Sequence, residues 1–77
     1  MARILWKPIG HEKLLTLRCK LSGREEYNDY DAHYQARRIC RDGTAEYAII
    51  LQDGLIVGRW ERTPSGEAVQ TEGRQVL

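Results

Sequence analysis

The sequence predicts a single α+β domain, in which one helix packs on a small antiparallel sheet of three to four strands in the order strand, helix, strand, strand. Three features of the chain predict this fold. Apolar and polar residues alternate between Leu14 and Leu21, an apolar stripe recurs with helical spacing between Asn28 and Gly43, and two strand-like segments flank the dipeptide Asp53-Gly54.

Two strands are predicted before the helix. Arg3 to Trp6 can form a short first strand, closed by a turn at residues 7–10. The alternation from Leu14 to Leu21 then predicts a half-buried strand, which Gly23 and its neighbours end. Its apolar face carries Leu15, Leu17, Cys19 and Leu21, and its wet face carries Thr16, Arg18, Lys20 and Ser22.

The predicted helix has start and stop signals as well as a core-facing stripe. Asn28 is a favourable N-cap, and Asp31 three residues later can reach back to it as in a capping box. Arginines near the end suit the helix dipole, and Gly43 ends the helix. The stripe, which is narrow and suited to close packing on a sheet, consists of Ala32, Ala36, Ile39 and Cys40.

The second half of the chain predicts a hairpin from Ala45 to Gln52 and from Leu55 to about Arg62, joined by a two-residue turn at Asp53-Gly54. That turn pairs Leu51 with Ile56, Ile49 with Gly58 and Tyr47 with Trp60 on the core face. It leaves Ile50 and Val57 on the opposite face, with Ala48 and Arg59. A further turn at residues 63–66 leads to a short edge strand over residues 67–71, and residues 72–77 are expected to fray.

Size and composition allow one domain, residues 1–77, with its core over about residues 13–71. The net charge of +1 provides no global field toward nucleic acid or membrane, and no apolar run reaches membrane-spanning length. Because the N-terminal residues lack the pattern of a signal peptide, we expect a cytoplasmic protein with reduced thiols. Cys19 and Cys40 are therefore predicted to be two buried thiols.

No residue pattern indicates catalysis, a metal or a cofactor. Cys19, Cys40, His11 and His33 lack the close paired spacing of a zinc site, and the common nucleotide-binding and hydrolase motifs are absent from the sequence. His33 lies four residues after Asp29, which we interpret as a surface pair rather than a base and its orienting group. The carboxylates of residues 25–31 are interpreted as a solvated loop and helix start. We expect a binding protein, not an enzyme.

Two surfaces are candidates for binding. On the outer side of the helix, opposite the core stripe, Tyr30, Tyr34, Arg37 and Arg41 fall together, with Arg38 beside them. Aromatic residues interleaved with arginines are typical of protein hot spots and of nucleic-acid surfaces. The wet face of the sheet is the second candidate: Arg18, Lys20, Arg59 and Arg62 would surround an exposed pair, Ile50 and Val57. Solvated, non-functional surfaces would explain both patterns as well.

A family resemblance sharpens the functional expectation. The segment Asp31 to Ile39, with Gln-Ala-Arg-Arg-Ile on the helix, is followed by a hairpin containing Asp53-Gly54 and Gly58-Arg59-Trp60. This helix and hairpin resemble small phage-encoded type I anti-CRISPR proteins; the N-terminus takes no part in the resemblance. The resemblance implies a non-enzymatic inhibitor that binds a subunit of the surveillance complex Cascade and blocks target DNA binding. The balanced charge favours steric blocking over mimicry of a duplex.

Two other functions stay open. A nucleic-acid-binding module would use the Tyr and Arg side chains of the helix, and a structural domain would dimerise through a sheet face. The sequence is compatible with a monomer or a homodimer. Binding to DNA that weakens steeply with salt would indicate the nucleic-acid module, because neutralised phosphates release counterions.

Overall fold

A computed structural model describes residues 1–74. These residues form one α-helix and a five-stranded antiparallel sheet, which confirms the α+β class and exceeds the predicted strand number. The strand order across the sheet is β2-β1-β3-β4-β5. The elements are β1 (Arg3–Pro8), β2 (Leu15–Thr16), α1 (Asp29–Arg41), β3 (Ala45–Gln52), β4 (Leu55–Arg62) and β5 (Ala68–Gly73).

The two strands before the helix differ from their predicted lengths. β1 is six residues long and pairs with β3, so it lies inside the sheet, whereas β2 is a two-residue strand at the edge. The predicted strand over residues 14–21 is therefore wrong beyond Thr16. The chain turns away there into a loop closed by hydrogen bonds between Cys19 and residues 23 and 24, and Leu21 is 99% exposed. An alternating pattern forms a strand only where a neighbouring strand can pair with it, and β1 pairs with this segment only at Leu15 and Thr16.

Helix α1 follows its sequence signals closely. The side chain of Asn28 accepts a hydrogen bond of 2.8 Å from the backbone N–H of Asp31, and Gly43 follows the C-cap with a φ of +83°. Both ends satisfy backbone groups that a helix leaves unpaired. The predicted stripe of Ala32, Ala36, Ile39 and Cys40 is buried, as expected. The helix, at 13 residues, is too short and too polar to cross a membrane.

The hairpin has the predicted bounds and turn but a different register. Asp53 and Gly54 both have positive φ, and Leu51 pairs with Ile56. A β-bulge then places one extra residue, Val57, in β4. The pairs become Ile50 with Gly58, Ile49 with Arg59, Ala48 with Trp60 and Tyr47 with Glu61. The predicted pairs of Ile49 with Gly58 and of Tyr47 with Trp60 are therefore wrong, because a bulge shifts the pairing by one residue.

The bulge decides which residues of the hairpin form the core. Trp60 faces the helix and is 5% exposed, as predicted, but its neighbour across the strand is Ala48. The small alanine leaves room for the indole. Ile50 is 1% exposed and belongs to the core, so its predicted position on the wet face is wrong. The buried core contains Ala2, Ile4, Ala32, Ala36, Ile39, Cys40, Ala45, Ala48, Ile50 and Trp60.

The last strand extends further than predicted. β5 pairs with β4 through Gly73, where an edge strand ending at residue 71 and frayed residues from 72 onward were expected. A second bulge places one extra residue, Thr71, in β5, opposite the step from Arg59 to Trp60, and it shifts the register of this pair. The remainder of the segment predicted to fray, residues 75–77, lies outside the described residues. The open face of the sheet, opposite the helix, is left uncovered by residues 1–74.

Candidate functional site

Four side chains form the outer helix face, which we define as Tyr30, Tyr34, Arg37 and Arg41. Tyr30 is 59% exposed and Tyr34 is 43% exposed. Arg41 is exposed and Arg37 is partly buried. Their helical spacing places them opposite the buried stripe, as the sequence predicts. The structure thus brings together the four residues of the first predicted surface.

None of these four side chains makes a hydrogen bond or ion pair with residues 1–74. Arg38, on the flank, differs: its guanidinium donates to Gln35 Oε1 from Nε at 3.1 Å and from Nη2 at 2.8 Å, and it lies 3.6 Å from a carboxylate oxygen of Asp42. Arg38 is therefore engaged within the helix. Arg37 and Arg41 present uncommitted guanidinium groups beside two tyrosine rings.

A groove borders the outer helix face at its C-terminal half. It has a volume of about 420 Å³ and is lined by Arg37, Arg41, Gly66, Glu67 and Ala68. The turn between β4 and β5 supplies the far wall. The turn is visible in the sequence at residues 63–66, but its position next to the helix depends on the register of β5. This groove was therefore not predicted from the sequence.

The second predicted surface is not assembled. Arg18 and Lys20 lie in the loop after β2 and line a cavity beside the helix, together with Cys19, Tyr27 and Arg38. Arg18 also forms an ion pair with Glu25 at 3.1 Å. The predicted grouping of Arg18 and Lys20 with Arg59 required a strand through residue 21, and the chain leaves the sheet after Thr16.

Arg59 lies on the open sheet face in a polar cluster of its own. Its guanidinium carbon is 4.3 Å from the centre of the Tyr47 ring, and its Nε donates to Glu61 at 2.9 Å. Thr71 donates to the same carboxylate oxygen at 3.0 Å. The hydrogen bonds from Arg59 and Thr71 lower the pKa of Glu61. Only this arginine of the predicted set belongs to the sheet face.

The other predicted members of the wet sheet face have structural positions. Ile50 is in the core, and Val57 is partly buried against it. Arg62 reaches the end of the helix, where its Nη1 donates to the carbonyl oxygens of Cys40 at 2.8 Å and Arg41 at 2.7 Å. These carbonyls are among those that a helix leaves unpaired at its C-terminus. The predicted exposed apolar pair rimmed by arginines is wrong.

His33 is not the surface residue that the sequence suggested. It is 5% exposed, and its Nδ1 accepts a hydrogen bond of 3.0 Å from Trp60 Nε1. Burial lowers the pKa of His33, an effect that the nearby Asp29 carboxylate opposes. The interpretation of His33 and Asp29 as a surface pair is therefore wrong. The signal for burial was the position of His33 next to Ala32 and three residues before Ala36.

The two cysteines have opposite environments. Cys40 is fully buried, with its sulfur 3.6 Å from the Trp60 carbonyl oxygen, and burial raises its pKa to about 11. Cys19 is only partly buried, so its predicted burial is wrong. Hydrogen bonds from the Ser22 side chain and the adjacent backbone lower the pKa of Cys19. Within residues 1–74, no three His, Cys, Asp or Glu side chains group as metal ligands.

The comparisons with known proteins add no family assignment. No family model, curated protein or solved structure matches this chain.

Proposed function

We propose that this chain is a non-enzymatic protein-binding module that contacts its partner through the outer helix face. The observation that carries the proposal is the pairing of two exposed tyrosines with two uncommitted arginines on one rigid helix. Tyr30 and Tyr34 offer large, stiff contact areas, and Arg37 and Arg41 offer guanidinium donors. Tyrosine and arginine are among the residue types that are enriched at the hot spots of protein interfaces.

The helical framework supports this use of the surface. The helix is anchored to the sheet by its buried stripe, so the outer side chains lose little backbone freedom on binding. Arg37 and Arg41 fit carboxylates or backbone carbonyls on a partner. The groove beside them adds a concave wall from residues 66–68. A convex aromatic ridge next to a groove is a shape that a protein partner can match.

The proposed partner is a subunit of a type I surveillance complex, which the chain would inhibit in the bacterial cytoplasm. This step rests on the resemblance of the helix and hairpin to type I anti-CRISPR proteins. The net charge of +1 and the basic helix face do not suit mimicry of DNA. The proposed mechanism is steric: the bound domain covers a protein surface that target DNA needs.

The test compares two triple variants in two measurements. The first is the affinity of the chain for a purified type I surveillance complex, and the second is how strongly the chain inhibits binding of target DNA by that complex. The first variant combines Tyr34→Ala, Arg37→Ala and Arg41→Ala, and it leaves the core stripe intact. Each hot-spot truncation costs about 2 kcal/mol or more, so we expect the dissociation constant to rise at least about 100-fold. Alanine favours the helix, and the circular dichroism spectrum should be unchanged.

The matched control combines Arg18→Ala, Lys20→Ala and Arg59→Ala, which removes three cations elsewhere. We expect it to inhibit like the parent chain. If the control variant loses inhibition while the helix variant inhibits normally, the binding site includes Arg18, Lys20 or Arg59 instead of the outer helix face. If the parent chain neither binds nor inhibits the complex, the proposed partner is wrong.

A nucleic-acid-binding module is the second candidate function, and the same helix face favours it. Tyrosine rings stack on bases, and arginines neutralise phosphates. The distinguishing measurement is fluorescence anisotropy of labelled single-stranded DNA at increasing salt. For a nucleic-acid-binding module, the logarithm of the association constant for DNA should fall linearly with the logarithm of the salt concentration. Such a dependence, together with loss of DNA binding in the helix triple variant, would support this function over protein binding.

A further inference from the structure

One nitrogen of the buried His33 ring has no partner within residues 1–74. Because Nδ1 accepts the hydrogen bond from Trp60 Nε1, the proton of the neutral ring sits on Nε2. His33 is 5% exposed. In this part of the chain, the only unpaired side-chain polar atoms that are fully enclosed belong to Trp6 and Gln70. Nε2 of His33 therefore keeps an open side, and its N–H is a donor available to a ligand.

His33 borders a small cavity between the start of the helix and the hairpin. We call it the His33 cavity; its volume is about 180 Å³. Ile50 and Val57 supply an apolar floor, because the β-bulge turns Val57 toward the helix side. The remaining walls are polar. The complete lining is Asp29, His33, Ile50, Gln52, Val57 and Arg74.

Two glycines that pair with each other across β4 and β5 position residues that line this cavity. A Cβ on Gly58 would lie 2.8 Å from Cε1 and 3.2 Å from Nε2 of His33, so only glycine admits the ring here. A Cβ on Gly73 would lie 2.3 Å from the Val57 carbonyl oxygen, and Gly73 has a φ of +95°. The end of β5 thus approaches the bulge closely and carries Arg74 to the rim.

The rim holds opposite charges that are not paired with each other. Neither Asp29 nor Arg74 forms an ion pair within the described part of the chain, although both line the cavity. The Gln70 side chain donates to the Arg74 carbonyl oxygen at 2.7 Å, which fixes the backbone at this point. One guanidinium and one buried N–H are both hydrogen-bond donors. A carboxylate carries negative charge and has two acceptor oxygens, so it can accept from both donors.

We propose that the His33 cavity binds a carboxylate on a short apolar stem. One carboxylate oxygen accepts from His33 Nε2–H, the Arg74 guanidinium neutralises the charge, and the stem packs on Ile50 and Val57. Asp29 weakens the binding through like-charge repulsion. The carboxylate belongs either to a free short-chain acid or to a glutamate side chain of a protein partner. The site lies on the core side of the helix, apart from the outer helix face.

The test follows the imidazole nitrogens of His33 by NMR in protein labelled with ¹⁵N-histidine. The probes are sodium butyrate, n-butylamine hydrochloride and N-acetyl-glutamate α-amide at matched ionic strength. We expect a saturable shift of His33 Nε2 with the two carboxylates and none with the amine. The exposed His11 provides an internal control that should not move. Tighter binding of butyrate would identify a free acid as the source, and tighter binding of the glutamate derivative would identify a protein side chain.

Two surface variants keep the proposal testable without risk to the core. Arg74→Gln should raise the butyrate dissociation constant about tenfold, the usual effect of losing one charge-assisted hydrogen bond. Asp29→Asn should lower the same constant. Shifts that do not saturate, that butylamine reproduces, or that Arg74→Gln leaves unchanged would overturn the proposal, and the cavity would then hold only water.

Discussion

The Trp60 indole donates its hydrogen bond to His33 Nδ1 over 3.0 Å, and the two rings meet edge to face with their centres 6.2 Å apart. This contact joins the core-facing side of the helix to the central hairpin. It satisfies the indole N–H inside the core, where an unpaired donor is costly. The same contact determines the tautomer of the histidine and the direction of its free N–H.

Truncation of Trp60 should reveal how much of the stability depends on this ring. Trp60→Ala removes a large side chain that is 5% exposed, and we expect a loss of about 3–5 kcal/mol in the free energy of unfolding. Trp60→Phe keeps most of the ring but leaves His33 Nδ1 unpaired, which should cost about 1–3 kcal/mol. Urea unfolding followed by circular dichroism measures both. A Trp60→Ala variant as stable as the parent chain would contradict the core position of the indole.

The fold should lose stability in mild acid because of His33. Burial lowers the folded-state pKa of His33 below the value of about 6.5 that holds in the unfolded chain. As the pH falls below about 6.5, the unfolded chain binds a proton that the folded chain does not. The free energy of unfolding should therefore decrease, by up to about 1.4 kcal/mol per pH unit, until the pH reaches the lowered folded-state pKa.

Urea unfolding at a series of pH values measures this slope. His33→Gln should remove it, and His11→Gln, at an exposed loop position, should preserve it. Titration of Glu61 occurs at lower pH and does not affect this slope. The pKa of Glu61 is lowered in the folded state, so its contribution to the free energy of unfolding is fully present above the unfolded-state pKa of about 4.5 and is lost as the pH falls below that value. An unchanged slope in His33→Gln would show that another group titrates.

The local signals of this sequence predicted local structure well. The Asn28 cap, the stripe from Ala32 to Cys40 and the Asp53-Gly54 turn each act over a few residues, and each is present as expected. Exposure of Tyr30 and Tyr34 followed from the same helical geometry. Features of this kind depend on hydrogen bonds and spacing within one element, so a single sequence contains the information.

The register and the site details depended on contacts between distant elements. The bulge at Val57 places Gly58 beneath the His33 ring, a fit that is invisible until the helix and β4 are packed. That one-residue shift moved Ile50 into the core and Tyr47 out of it. The cavity at His33 and the groove at Arg37 arise from the same tertiary contacts. The period-2 pattern therefore predicted the two hairpin strands but assigned the wrong face of β3 to the core.

The two cysteines should differ sharply in reactivity. Cys19 is partly exposed with a lowered pKa, whereas Cys40 is buried with its pKa raised to about 11. Because the thiolate is the nucleophile, iodoacetamide at pH 8 should modify Cys19 in the folded protein and should modify Cys40 only after unfolding in urea. Mass spectrometry of peptides locates the label. Equal rates at the two sites in the folded state would contradict the burial of Cys40.

Arg62 should stabilise the helix from outside it. Its guanidinium donates to the carbonyl oxygens of Cys40 and Arg41, and it lies beside Gly43, where a Cβ would come within 3.7 Å of it. A cation at this end also interacts favourably with the negative C-terminal end of the helix dipole. Arg62→Met keeps the apolar stem but removes both hydrogen bonds, and it should lower the free energy of unfolding by about 1–3 kcal/mol.

Two further variants separate hydrogen bonding from charge at this helix end. Arg62→Lys keeps the charge but lacks the planar guanidinium whose Nη1 donates both hydrogen bonds, so it should recover only part of the loss. Arg41→Met removes an exposed arginine whose side chain has no partner within residues 1–74, and it should change stability by less than about 0.5 kcal/mol. Hydrogen exchange in the last helical turn should accelerate in Arg62→Met, accelerate less in Arg62→Lys, and stay unchanged in Arg41→Met. If Arg62→Lys is as stable as the parent chain, charge rather than the two hydrogen bonds from Nη1 stabilises the helix end.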